Sequence, residues 1–99
     1  MMRGTTPTLV FSLPFDTELV DKLYLTFSQN DKEILTVTEK VCNLHDITVE
    51  VTLTQAETLL FEANVLTEAQ FRIITINNDV TCSYPMRIAV QRILKDGEI

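Results

Sequence analysis

From Ile47 to Leu53 the chain alternates without interruption, and then the period changes. Ile47, Val49, Val51 and Leu53 share one parity, while Thr48, Glu50 and Thr52 share the other. A period of two over seven residues is the pattern of a strand with one buried face. Thr54 follows, with Glu57 three residues on. That is capping-box spacing, in which the hydroxyl meets a backbone N–H and the carboxylate reaches back to the first N–H. The staple partner of Leu53 would be residue 58, which is Thr58, so the box lacks its apolar clasp. The stretch predicts a strand that enters one helical turn, near residues 55–60, and then crosses between sheets.

No other segment carries a helical period. Thr8 to Leu13 reads as a short strand closed by Pro14, which cannot donate to a ladder. Glu18 to Ser28 is the longest alternating run, with Leu23, Leu25 and Phe27 inward and Lys22, Tyr24, Thr26 and Ser28 outward. Gln29 to Lys32 is a hairpin turn, because Asn30 and Asp31 tolerate positive φ. Glu33 to Glu39 returns with Leu35 and Val37 inward. Lys40 to Asp46 reads as a loop. Glu68 to Ile76 places Ala69, Phe71 and Ile73 on one side. Asn77-Asn78-Asp79 is a second turn. Val80 to Tyr84 begins a partner strand that Pro85 breaks and Met86 to Leu94 continues. Six or seven antiparallel strands with turns between them predict an all-β, two-sheet β-sandwich, immunoglobulin-like in the loose sense. The Cys-Trp-Cys spacing of antibody domains is absent, since the chain has no Trp. Its 99 residues suffice for one domain over residues 1–99, burying about 65% of the unfolded surface. Residues 1–7 read as an extended lead-in and 95–99 as a polar tail.

Charge and cysteines narrow the function classes. The net charge is −6, and the eight basic residues are spread singly along the chain. No cationic stripe exists for phosphates, so neither nucleic acid nor an anionic membrane is an expected partner. No window approaches the roughly 18 apolar residues of a membrane span. The run Leu9-Val10-Phe11 is too short for a signal-peptide core, so the chain is expected to stay in the cytoplasm or to leave it without a classical signal. Cys42 and Cys82 share no metal-binding spacing, and His45 is the single histidine. Two free thiols are expected, and no metal or other cofactor. A disulfide would require an export route.

The candidate chemical groupings have simpler explanations. His45-Asp46 lacks a nucleophile beside it. Asp16, Glu18 and Asp21 lack the oxygen density of a calcium loop. Asn77-Asn78-Asp79 is a turn. No phosphate loop, GxSxG or HExxH occurs, and the chain reads as non-enzymatic. One feature is unusual: Val20, Tyr24, Ile34, Ile74, Ile76 and Ile93 fall on the outward parity of their strands. Either bulges rotate them inward, or they form a protein interface.

Three segments carry a resemblance. They are Met2-Arg3-Gly4-Thr5-Thr6-Pro7-Thr8 with Leu13-Pro14-Phe15-Asp16, then Leu53 to Phe61, then Val90-Gln91-Arg92-Ile93-Leu94-Lys95-Asp96-Gly97. Taken in order, they resemble small, uncharacterised proteins of phages and prophages of Gram-positive bacteria. The resemblance implies a virion structural or assembly protein near tail or baseplate components, located in the bacterial cytoplasm during assembly or in the virion and acting through protein–protein contacts with itself or other phage proteins. It assigns no functional residue. The alternative is a soluble binding module for a peptide or carbohydrate. Having no Trp, and only Tyr24 and Tyr84 for sugar stacking, the chain favours assembly.

Overall fold

The computed structural model describes residues 1–99. The strands are β1 (Thr8–Ser12), β2 (Val20–Gln29), β3 (Lys32–Thr38), β4 (Cys42–His45), β5 (Thr48–Thr52), β6 (Thr67–Thr75), β7 (Val80–Cys82) and β8 (Met86–Ile88), with helix α1 at Gln55–Thr58. They form two antiparallel sheets. One has three strands in the order β1-β5-β4, the other five, in the order β3-β2-β6-β7 with β8 also on β6. This is the expected all-β sandwich, with eight strands rather than six or seven.

Alternation decides which side chains fill the space between the sheets. Leu23, Leu25 and Phe27 of β2, Val37 of β3, Val49 and Val51 of β5, and Ala69, Phe71 and Ile73 of β6 join Leu13, Leu53, Phe61 and Val90 in one core. Phe11 of β1 meets Phe71 of β6 edge to face at 5.2 Å, which holds sheet on sheet. Phe27 and Phe61 do the same at 5.6 Å beneath the corner.

The chain changes sheet three times, and each crossing uses a short helical turn: Thr17–Leu19, Glu39–Val41 and α1. At α1 both capping bonds form. Thr54 Oγ1 accepts from Glu57 N at 3.1 Å, and Thr54 N donates to Glu57 Oε1 at 2.8 Å. Thr58 stands at the staple position for a reason of its own. It is fully buried, and its hydroxyl donates to Thr5 O at 3.0 Å, tying the N-terminal segment to the corner. Asp16 caps the Thr17–Leu19 turn through Glu18 N.

Three sequence expectations are corrected. The stretch Lys40 to Asp46, expected as a loop, contains β4, which pairs with β5 from Cys42↔Val51 to His45↔Thr48. Ile47, expected inward, is exposed, because it and Asp46 (φ 52°) form the two-residue turn between β4 and β5 and lie outside the ladder. The strand expected from Met86 to Leu94 ends at Ile88. Beyond it the chain turns to the N-terminus, where Gln91 N donates to Met1 O and Arg3 N to Gln91 O.

Candidate protein-contact site

The six candidate interface residues separate into four groups. Val20 and Ile34 pack against the core, and both are rotated there by bulges. Between Val20↔Thr75 and Lys22↔Ile74 the register shifts, leaving Asp21 unpaired and turning Val20 to the inward side. Between Phe27↔Leu35 and Ser28↔Glu33 it shifts again, and Ile34 is the extra residue. Ile93 sits with the chain ends, its Cδ1 2.8 Å from where a Cβ on Gly4 would lie. Ile76 is exposed in the β6–β7 turn, where its N–H donates to Leu19 O. Only Tyr24 and Ile74 meet on the outer face of the five-stranded sheet.

Register fixes what surrounds them. Tyr24 lies between Thr38 and Arg72, and Arg72 faces Cys82. In the next row Lys22 lies opposite Ile74, which faces Val80. Lys22, Tyr24, Arg72, Ile74 and Val80 line a shallow hollow of about 210 Å³. A second, of about 230 Å³, shares Lys22 and Tyr24 and adds Thr38, Glu39 and Lys40. Tyr24 is 48% and Val80 60% exposed. Val80 was not legible as a patch residue, because a three-residue strand offers too little alternation to assign a face. Lys22, Lys40 and Arg72, apart in sequence, here surround one tyrosine.

The electrostatics are one-sided. The contact ion pairs of the molecule are Arg3–Asp96 and His45–Asp46, so Lys22, Lys40 and Arg72 form none, although Glu39 lies near enough to feel both lysines and Glu33 shares a third hollow with Tyr24 and Arg72. Glu39 lines the second hollow, but its Oε2 accepts from Leu23 N at 3.1 Å. That bond, with one from its own backbone N–H and smaller contributions from the Lys40 and Lys22 charges, holds the carboxyl below the usual range.

A different opening lies on the three-stranded sheet. β1 pairs with β5 along one side and with nothing along the other. Leu53 N donates to Pro7 O and Leu13 N to Ile47 O, so the odd-numbered residues bond toward β5. The N–H and C=O groups of Thr8, Val10 and Ser12 therefore face the open edge. Val10 is 61% exposed.

The chemical candidates stay dispersed. His45 and Asp46 form a surface pair at 3.3 Å. Asp16 caps a turn and Asp21 stands at a bulge. No three His, Cys, Asp or Glu side chains gather where they could hold a metal. Cys42 and Cys82 are unpaired, on different sheets. No helix is long and apolar enough to cross a membrane. No protein-family model, curated protein or solved structure matches the chain.

Proposed function

We propose that the chain is a non-enzymatic structural or assembly module that works through protein–protein contacts. Its place in a phage particle, near the tail or baseplate, follows the resemblance of its first, corner and last segments. The open β1 edge is the observation that supports a contact role. Soluble sandwiches ordinarily guard their edges with charge, bulges or short strands. β3 follows that rule with Lys32, Glu33 and the Ile34 bulge, β4 is four residues long, and the β7–β8 edge is interrupted at Pro85. β1 carries five uncharged residues and no bulge. An extended segment of a partner can add there by β-augmentation, taking its affinity from main-chain hydrogen bonds.

The same edge would serve a soluble peptide-binding module, and particle composition separates the two readings. Mass spectrometry of purified particles from an induced host should find the chain in stoichiometric amounts. It should not find Val10→Lys, which leaves the core untouched but places a charge on the edge. Absence of the wild-type chain from particles sinks the phage reading. Incorporation of Val10→Lys at wild-type levels sinks the role of β1.

A further inference from the structure

The geometry points to the Tyr24 cleft on the five-stranded sheet as a docking site for an acidic, extended segment of a partner protein. An apolar side chain of that segment sits on Ile74 and Val80, and its carboxylates meet Lys22, Lys40 and Arg72. This site is separate from the β1 edge, which belongs to the other sheet.

Charge complementarity chooses the occupant. The whole chain has 14 acidic residues against 8 basic ones, yet the two adjoining hollows are lined by three cations and one carboxylate, and the third hollow that shares Tyr24 and Arg72 adds only one further charge, Glu33. That carboxylate, Glu39, is already held by a backbone N–H. The cations make no contact ion pair, so an acidic segment breaks none, and the one carboxylate whose charge Lys22 and Lys40 already share is Glu39. Charges elsewhere on the acidic surface act weakly here, since exposed charges are screened beyond about 8 Å at physiological salt. The floor of Tyr24, Ile74 and Val80 asks for an apolar group, which a polyphosphate backbone does not supply. An extended conformation fits because the row Val80, Ile74 and Lys22 runs across β7, β6 and β2 toward Lys40, with Arg72 and Tyr24 beside it, a span that an extended chain covers in a few residues while presenting alternate side chains to the face.

The test is a random-peptide display library panned on the immobilised full-length protein. The counter-target is the triple variant Lys22→Glu, Tyr24→Ala, Arg72→Glu. All three positions are exposed, and circular dichroism and a thermal melt check that the variant is folded. Enriched peptides should carry Asp or Glu around a Leu, Ile or Phe. Resynthesised, they should bind the wild type more weakly as salt rises, and the triple variant roughly tenfold or more weakly. Lys32→Glu, a charge reversal away from the cleft, should leave binding unchanged. Should the triple variant fail to fold, Arg72→Glu alone serves as counter-target, with a reduced salt dependence as the expected readout. Neutral or basic enriched peptides, equal binding to the variant, or no enrichment would each overturn the proposal. So would a wild-type oligomer in sedimentation velocity that the variant dissociates, because the occupant would then be a second copy.

Discussion

Single side chains settle matters that sequence pattern leaves open, and Gln29 is the clearest case. Beside Asn30 and Asp31 it reads as one more polar turn residue, yet it is buried to 4% exposure. Its Nε2 donates to Glu62 O and Thr67 Oγ1, both at 2.8 Å, and its Oε1 accepts from Glu62 N at 2.9 Å. One amide thus fastens the segment after α1 to the end of the β2–β6 ladder. Nothing local reveals this, since its main partner lies 33 residues away. Gln29→Leu preserves bulk but strands buried polar groups, so it should lower stability by about 2–3 kcal/mol. Urea unfolding gives the check: a midpoint within error of the parent would show that water replaces the amide. The two thiols differ in a way that is also measurable. Burial, with the Glu39 charge as a smaller contribution, pushes the Cys42 thiol up, whereas Cys82 lies exposed on β7. The thiolate is the reactive form, so Ellman's reagent should titrate one fast and one slow thiol in native protein. It should find two thiols after denaturation without reductant. Cys82→Ser should remove the fast phase. Equal native rates would contradict the placement of β4, and finding no thiols in denaturant would mean a disulfide.

At the scale of the element, legibility followed the length of the alternating run. β2, β5 and β6 each have at least five alternating residues with one buried face, and their inward side chains were readable. β4 offers only Cys42 and Leu44 inward across four residues, too little to distinguish from a loop. Parity also fails at bulges, because one extra residue turns everything beyond it to the opposite face. Val20 and Ile34 therefore read as outward and lie on the core. The hairpin β2–β3 was readable from Asn30-Asp31, whose φ values of 52° and 61° make a two-residue turn with both central residues left-handed. The α1 corner was readable because capping is local: its donors and acceptors lie within three residues. Thr54→Ala with Glu57→Ala removes both box bonds and should lower stability by about 1–2 kcal/mol. The loss should appear in a thermal melt, and a double variant that melts with the parent would show that packing alone holds the corner.

At the scale of the whole molecule, a period of two tells which face a residue takes but not which strand lies beside it. Hence the division into β1-β5-β4 and β3-β2-β6-β7 could not be read in advance. Nor could the meeting of both ends of the chain at the corner, which turns on Arg3. Its Nε donates to Phe61 O at 2.6 Å and its Nη2 to Leu59 O at 3.3 Å, while Nη1 pairs with Asp96 at 3.0 Å. The guanidinium thus occupies carbonyls just past α1 and draws the final segment against the first. Gly4 follows at φ +72°, a backbone conformation that residues with a Cβ rarely adopt, while a Cβ there would displace only the end of the Ile93 side chain. Magnitudes separate the contacts of Arg3. Asp96 is mostly exposed, and a surface pair contributes about 0–1 kcal/mol, so Asp96→Ala should barely move the unfolding midpoint. The carbonyl bonds are partly buried, and hydrogen bonds to a charged group contribute about 1.5–3 kcal/mol. Arg3→Met keeps the aliphatic stem and loses those bonds, so it should cost about that much. Arg3→Lys should recover only part of it, because an ammonium cannot reproduce the planar fork. Urea unfolding of the three variants decides the ranking, and native-state hydrogen exchange at the Arg3 and Gln91 amides reports whether the ends have come apart. If Asp96→Ala costs as much as Arg3→Met, the ion pair holds the ends together, and the carbonyl bonds do not.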